Sequence, residues 1–265
     1  MEALVAEKLR ALPPAQKAQV LDLIREAERR GKQHKIDSFY PDEGPLRREL
    51  YQRHLEFFRV GATYRERCAL AANRIGKTEG MGGYETALHL TGQYPKWWEG
   101  RRFDEPIMAW AAGKTNETAR DIVQRKLFGP VTGEGTTHKS VSGTGLVRGN
   151  CIGDITWKQG VQNFIDTVKV RHISGGWSHL GMKSYQQGRG SFEGTEQDLI
   201  WLDEEPPLDI YGECLIRTAT TNGIVMLTFT PLEGVTGTVL TFMPGGDPEQ
   251  LANGGRQTST GVSFA

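Results

Sequence analysis

A glycine–lysine–threonine run stands between an apolar strand and a helix in this sequence. Residues 71–78 read AANRIGKT; they continue from the apolar run 68–72 and lead into a segment, 77–90, with the pattern of a helix. The run matches the phosphate-binding pattern GxxxxGK[ST], except that Ala71 stands where the first glycine is usual. A preceding strand and a following helix suit this chemistry, because amides at a helix start point at bound phosphate.

Three residues of this run are suited to binding a nucleoside triphosphate. Gly76 lets the backbone approach phosphate closely, Lys77 can reach the β- and γ-phosphates, and the Thr78 hydroxyl can ligate Mg²⁺. The same tripeptide also arises by chance, so the run alone leaves an ordinary helix start open. The residues predicted to bind ATP here are Asn73, Arg74, Ile75, Gly76, Lys77, Thr78 and Glu79.

An apolar strand that ends in carboxylates is the second feature. Residues 199–202 read LIWL and are followed by Asp203, Glu204 and Glu205. At the end of a buried strand these acids are expected beside the phosphate loop, where open α/β sheets bind ligands. Asp203 is then suited to hold Mg²⁺, and Glu204 to orient or deprotonate the attacking water, with Glu205 in reserve. The alternative is a strand followed by a solvated acidic turn.

A third apolar strand ends in hydroxyl groups. Residues 224–230 read IVMLTFT and are followed by Pro231. The hydroxyls of Thr228 and Thr230, placed beside a γ-phosphate, can sense hydrolysis and pull on a neighbouring segment. The alternative is structural, because threonine favours strands and proline stops them. Only the two preceding motifs favour the functional interpretation.

Composition sets broad limits on the function. The chain has 265 residues, with 32 Lys+Arg and 32 Asp+Glu, so its net charge neither supports nor excludes DNA binding. Cys68, Cys151 and Cys214 are too far apart for a CxxC metal site, and they fit a reducing compartment. The sequence shows no membrane-length apolar run and no signal-peptide pattern, which predicts a soluble, cytosolic protein without membrane contact.

Alternating strands and helices predict an α/β fold with a central, mainly parallel sheet flanked by helices. Strands are predicted at 68–72, 107–112, 167–173, 182–185, 199–202 and 224–229, and helices at 13–30, 46–60, 77–90 and 116–127. We expect an N-terminal helix and linker over 1–44, an ATPase domain over 45–243, and a flexible tail over 244–265. The Gly-rich segment 129–165 is predicted to be a surface insertion.

Together these motifs resemble the large terminase subunits of tailed bacteriophages. The resemblance rests on ANRIGKT, LIWLDEEPP and TFTP, is supported by LTGQYPKWW at 90–98 and SYQQGR at 184–189, and covers about residues 45–243. It implies a P-loop ATPase domain of the additional-strand, catalytic-glutamate class. It also implies a homo-oligomeric ring on the capsid portal protein, in the host cytoplasm. With a small terminase subunit, ATP and Mg²⁺, such a ring pumps double-stranded DNA into the procapsid.

The resemblance also assigns roles to residues at matching positions. It implies that Gln52, upstream of the phosphate loop, contacts adenine. It implies that Lys77 and Thr78 bind phosphate and Mg²⁺, that Asp203 binds the metal and that Glu204 is the catalytic glutamate. Residues Thr228 to Thr230 correspond to the segment that couples hydrolysis to movement.

The position of the charge-stabilising arginine departs from the family. Many members carry an arginine four positions before the P-loop lysine, where this sequence has Asn73 followed by Arg74. Arg189, in a Gly-rich loop before the acidic strand, is a second candidate, acting on a neighbouring subunit. The alternative for both is an ordinary solvated arginine.

The segment after residue 243 also departs from the family, whose full-length members continue into a ribonuclease-H-like nuclease domain. Asp247 and Glu249 are the only carboxylates of this tail, so DNA cleavage is not expected from this chain. Two other functions stay open. A helicase or other P-loop ATPase is one, although a helicase of this type needs a second motor lobe; a fragment that only binds partners is the other.

Overall fold

The computed structural model describes residues 34–242 except 134, 136 and 137, together with residue 13, residues 16–23 and two strands, 256–257 and 261–264. Residues 16–23 are helical and mostly exposed. Residues 14, 15 and 24–30 of the helix predicted over 13–30 lie outside the described residues. No helix in the described part of the chain is long and apolar enough to cross a membrane.

A mainly parallel sheet organises the described part of the chain. The strands are β1 (Glu66–Leu70), β2 (Met108–Gly113), β3 (Val131–Thr132), β4 (Ser140–Val141), β5 (Ile152–Trp157), β6 (Ile165–Arg171), β7 (Trp177–Ser184), β8 (Leu199–Asp203), β9 (Ile224–Phe229), β10 (Arg256–Gln257) and β11 (Gly261–Phe264). One sheet has the order β10-β11-β1-β9-β8-β2-β7-β6-β5, and β3 pairs with β4 separately. The strands from β11 to β7 in this order run parallel, whereas β5, β6 and β10 are antiparallel to their neighbours. The predicted fold class is therefore confirmed.

Helices cover both faces of this sheet. They are α1 (Gln52–Val60), α2 (Tyr84–Thr91), α3 (Asn116–Thr118), α4 (Arg125–Phe128), α5 (Leu208–Arg217) and α6 (Gly237–Phe242), and π-helical turns over Lys77–Gly83 and Ala119–Gln124 lead into α2 and α4. Trp201 and Met226 pack in one core with α1 and α2. Ile200 and Leu227 point the other way, into a core with α5 and α6. Burial on both faces explains why these strands are apolar throughout.

Two predicted helix starts have different outcomes. The helix predicted from Asn116 does begin there, and the Thr115 side chain caps it by accepting a hydrogen bond from the backbone of Thr118 at 3.1 Å. The helix expected from Leu46 instead begins at Gln52, because Tyr51 has a non-helical backbone (φ −115°, ψ 42°). A 3₁₀ turn over Arg48–Leu50 precedes it.

The linker expected within residues 1–44 packs against the domain where it is described. Ile36 and Tyr40 are buried, and the Tyr40 hydroxyl donates to the Gly80 carbonyl at 2.6 Å. Because the segment is mostly polar, its composition did not indicate that these two residues are buried. The expected division between residues 44 and 45 remains a prediction.

Two further segments contain strands that the sequence analysis did not predict. The prediction of a surface insertion over 129–165 is wrong in part, because β5 joins the main sheet and Phe164 is buried. The β5 strand is only half-buried, and its sequence, IGDITW, mixes apolar and polar residues instead of forming a continuous apolar run. The expected tail over 244–265 contains β11, which pairs with β1 in parallel; the rest of that tail, apart from β10, lies outside the described residues. A four-residue strand is too short for composition to reveal.

Candidate functional site

The sheet brings the three sequence motifs together at one edge. The strands β1, β9 and β8 are parallel neighbours, so their carboxyl ends lie side by side. A cavity of about 560 Å³ opens there, lined by residues of the phosphate loop, the acidic strand end and the hydroxyl strand end. The set includes Asn73, Arg74, Gly76, Lys77, Thr78, Glu79, Asp203, Glu204, Glu205, Thr228 and Thr230.

In the phosphate loop, Lys77 is buried beneath a stretch of backbone that is exposed. Lys77 is 8% exposed, and its ammonium donates to the carbonyls of Ala71 at 2.7 Å and Ala72 at 2.6 Å. Burial lowers the pKa of Lys77, and the nearby Asp203 carboxylate acts in the opposite direction. Gly76 has a φ of +89°, a left-handed conformation that glycine adopts without strain. This turn leaves residues 72–76 open to a ligand.

Asp203 lies at the centre of a small network of hydroxyl groups. One carboxylate oxygen accepts hydrogen bonds from Thr78 at 2.9 Å and from Thr228 at 2.8 Å. The Thr228 hydroxyl is itself held by the indole N–H of Trp201 at 2.8 Å. Burial raises the pKa of Asp203 to about 7, although both hydroxyls lower it. A cation at this position would favour the charged carboxylate.

The oxygen ligands at this position suit Mg²⁺. Thr78 and Asp203 already lie within hydrogen-bonding distance of each other. Among the described residues, no group of three or more His, Cys, Asp or Glu side chains is arranged to hold a metal ion. Mg²⁺ needs only a few ligands from the protein, because it keeps several waters and takes substrate phosphates as further ligands.

Glu204 has a strained backbone that a buried tyrosine supports. Its φ is +65°, which is uncommon for a residue with a side chain. The Tyr185 hydroxyl lies 2.9 Å from the Asp203 carbonyl and 3.1 Å from the Glu204 carbonyl. The Glu204 side chain faces the cavity, where partial burial raises its pKa and the Lys114 ammonium lowers it. Strain of this kind persists where surrounding structure enforces it, and it clusters at functional sites.

A second cavity, of about 800 Å³, lies on the other side of the phosphate loop. Gln52 lines it together with Tyr51 and Arg74. The Gln52 amide nitrogen donates to the Glu49 carbonyl at 3.0 Å. Below the loop, the His54 ring lies 3.0 Å from the Ile75 carbonyl. The cavity therefore has the position expected for a base attached to phosphates on the loop.

The two arginine candidates differ in position. Arg74 lines both cavities, and its φ of +66° places it at the tip of the loop. Arg189 does not line the phosphate cavity of its own chain. Its guanidinium donates instead to the buried carboxylate of Glu213 on α5 at 2.9 Å. Within one chain, the structure therefore does not bring Arg189 to the site.

Several residues at the site were missed in the sequence analysis. Lys114 follows β2 and lines the phosphate cavity, as do Lys126 and Glu233. Lys126 pairs with Glu79 at 2.6 Å, and Lys35 pairs with the same carboxylate, so Glu79 serves two ion pairs. Lys114 could have been predicted from the sequence, because it directly follows an apolar strand. Tyr185 had none, because its role depends on a contact with another strand.

Comparison with known proteins gives consistent matches. Residues 68–246 match the family model described as terminase large subunit, T4likevirus-type, N-terminal. The chain is 34% identical over 251 residues to the large terminase subunit of Salmonella phage P22, which takes in 88% of this chain and 47% of that protein. The chain thus spans about half the length of this curated relative.

One of the similar solved structures shows the same fold. A variant of the large terminase ATPase domain of Thermus phage P74-26 matches with a TM-score of 0.51 and 16% identity, over 76% of each chain. The Phi-28 gp11 DNA packaging motor matches with a TM-score of 0.45 and 10% identity, over 80% of this chain and 58% of that one.

Proposed function

The chain belongs to the terminase large subunit family, and on that basis we propose that it is an ATPase that drives double-stranded DNA into a procapsid. One observation carries the proposal. Lys77, Thr78, Asp203 and Glu204 line one cavity, although the first two are far from the others in sequence. This set provides a phosphate-binding cation, a metal site and a carboxylate for water.

In the proposed reaction, water attacks the γ-phosphate of ATP in line with the departing ADP. The Lys77 ammonium and the amides at the helix start stabilise charge on the phosphates. Thr78 and Asp203 would hold Mg²⁺, which supplies charge neutralisation on the phosphate oxygens when bound. Glu204 orients the water and accepts its proton.

The adenine base is assigned to the second cavity, where Gln52 presents its amide. An amide can both donate to and accept from the edge of a base. Arg74 reaches both cavities and is the candidate for binding phosphate charge within the chain. Arg189 would act only on the site of an adjacent subunit, in a homo-oligomeric ring.

Coupling to DNA movement is assigned to the end of β9. Thr228 contacts the metal-binding carboxylate of Asp203, and Thr230 contacts the Lys77 ammonium at 2.8 Å. Loss of the γ-phosphate would change both partners at once, so the segment after β9 would shift. The portal protein and the small terminase subunit are the proposed partners of the assembled motor.

ATP turnover of matched variants tests the proposal. Lys77→Ala should abolish nucleotide binding. Glu204→Gln should keep binding and lower turnover by about 10²- to 10⁴-fold, the range for a general base. Lys169→Ala is the control, because Lys169 pairs with Asp154 on the exposed edge of the sheet. Equal turnover in Lys77→Ala and the unmodified chain would exclude the enzyme; ATP-dependent DNA uptake by portal-bearing procapsids tests the motor.

A further inference from the structure

Lys114 lies at the same edge of the sheet as the catalytic carboxylates, but it has no role in the mechanism above. In the sheet, Ala112 of β2 is opposite Leu202 of β8. Two residues further along each parallel strand come Lys114 and Glu204, at the same edge. Both side chains line the phosphate cavity, and the charge of Lys114 lowers the pKa of Glu204.

The partner of Lys114 lies on the opposite side of the acidic strand. Its ammonium donates to the Glu233 carboxylate at 2.9 Å, and Glu233 belongs to the segment after β9. Because β8 lies between β9 and β2, this ion pair crosses the carboxyl end of β8, where Asp203 and Glu204 lie. The pair therefore spans the mouth of the cavity.

The segment 231–236, here called the post-β9 segment, has a second tie to the acidic strand end. The Thr236 hydroxyl donates to the Glu205 carboxylate. The segment is otherwise open to solvent: Leu232 is 77% exposed and Val235 is 65% exposed. One anchor of the segment therefore reaches Lys114 after β2, and the other reaches Glu205, next to Glu204 at the end of β8.

The Lys114–Glu233 pair is suited to exchange. Its side chains are 60% and 65% exposed, and exposed ion pairs contribute little to stability. The other cavity lysines are held more firmly, since Lys77 has three acceptors and Lys126 pairs with a carboxylate that is 22% exposed. A terminal phosphate, with more than one negative charge, competes well for Lys114.

We propose that Lys114 is a second phosphate-binding lysine. When a nucleoside triphosphate binds, the Lys114 ammonium breaks its ion pair with Glu233 and contacts the terminal phosphate instead, and loss of the pair releases the post-β9 segment. The inference rests on the proposed function and adds to it a link from the γ-phosphate to the segment after the coupling threonines. ADP lacks that phosphate, so it leaves the ion pair in place. Lys114 thereby distinguishes ATP from ADP.

Binding of a non-hydrolysable ATP analogue and of ADP, each with Mg²⁺, tests this by titration calorimetry. Lys114→Met should weaken the analogue about tenfold, the worth of one charge-assisted hydrogen bond, and leave ADP within about twofold. Glu233→Gln should tighten the analogue, because the competing carboxylate charge is gone. The matched controls are Lys169→Met and Asp154→Asn, which break an exposed pair with the same 2.9 Å distance elsewhere on the sheet.

The outcomes separate this inference from the proposed function. Lys77→Ala can abolish nucleotide binding while Lys114→Met lowers the affinities for the analogue and for ADP equally, or changes neither affinity. In either case Lys114 is not a terminal-phosphate ligand. If the unmodified chain binds neither nucleotide, the proposed function fails and this inference fails with it. Melting temperatures close to that of the unmodified chain would confirm that the surface variants fold.

A label on the post-β9 segment reads its release directly. Cys68, Cys151 and Cys214 are buried, at 0%, 5% and 0% exposure, so Leu232→Cys provides one accessible thiol for an environment-sensitive fluorophore. The ATP analogue should change the emission, ADP should not, and Lys114→Met should remove the change. A response that persists in the Lys114→Met background would overturn the proposed release.

Discussion

The ammonium of Lys77 donates a hydrogen bond to the hydroxyl of Thr230 at 2.8 Å. The same hydroxyl lies 2.8 Å from the Asn73 side-chain oxygen and 2.9 Å from the Ala71 carbonyl. The Thr230 side chain therefore joins the segment after β9 to the phosphate loop. A ligand that draws the Lys77 ammonium away therefore breaks its hydrogen bond to Thr230.

Replacement of Thr230 by valine tests this link, because valine keeps the shape and removes the hydroxyl. Turnover should fall by less than about tenfold, since the Lys77 ammonium loses one of its three acceptors, a hydrogen bond worth roughly 1 kcal/mol, and keeps the Ala71 and Ala72 carbonyls. The length of DNA packaged per ATP should fall more, because Lys77 no longer pulls on the segment. Thr241→Val, on the exposed face of α6, is the control. Packaging and turnover that fall in equal proportion would show that Thr230 has no coupling role.

Asp203 should make stability and activity depend on pH in opposite ways. Its folded pKa, about 7, lies above the ordinary 3.8 because of burial, so the folded chain binds this proton more tightly than the unfolded chain. The stability due to this group is full below about pH 4 and is lost as pH rises to about 7. Over that window the loss is at most ~4 kcal/mol.

Asp203→Asn removes this dependence, so urea unfolding should find the variant more stable than the unmodified chain at pH 8 but not at pH 4. The variant should have lost Mg²⁺-dependent turnover. In the unmodified chain, turnover should fall as pH drops through about 7, and more Mg²⁺ should move that midpoint down. Asp154→Asn, at an 82%-exposed side chain, serves as the control. A stability gain that is the same at pH 4 and pH 8 would contradict the assignment.

The parts of the site that could be predicted from sequence are those formed by neighbouring residues. Gly76, Lys77 and Thr78 follow one strand, and Asp203 and Glu204 end another, so each motif carries its own local signal. Parallel strands then bring the motifs to one edge whatever lies between them.

The remaining features depend on which strands lie side by side, and this information is not local. The Lys114–Glu233 pair exists because β8 separates β2 from β9. Arg189 was identified as a loop arginine, but its position follows from the buried Glu213 on α5. The β11 strand depends on an open edge of β1, which composition cannot reveal.

Close packing between the phosphate-loop helix and β8 gives a third prediction. A Cβ atom at Gly82 would lie 2.1 Å from the indole nitrogen of Trp201, so Gly82→Ala should destabilise the fold by roughly 1–3 kcal/mol. Trp201 would also move from Thr228 and disturb Asp203. Gly212→Ala on α5 meets nothing within 4 Å and should instead stabilise by ~0.5–1 kcal/mol. Urea unfolding at pH 7 separates the two; equal effects would show that close packing at Gly82 is unimportant.

Tyr185 is expected to position Glu204, the proposed catalytic glutamate, without touching substrate. Its buried hydroxyl lies within hydrogen-bonding distance of the Asp203 and Glu204 carbonyls, at the residue whose φ is +65°. Tyr185→Phe leaves these carbonyls without that donor, which should cost about 1–3 kcal/mol of stability. It should also let the strained backbone relax and displace the Glu204 carboxylate.

Displacement of a catalytic group by about 1 Å can lower turnover roughly 10²-fold, so kcat of Tyr185→Phe should fall while KM for ATP stays near its original value. Tyr211→Phe is the control, because the Tyr211 hydroxyl bonds Glu66 at the opposite end of the strands. That variant should lose stability and keep kcat. A parallel loss of stability and an unchanged kcat in both variants would limit Tyr185 to a structural role. A fall in kcat confined to Tyr185→Phe would show that catalysis depends on the backbone geometry which this hydroxyl maintains at Asp203 and Glu204.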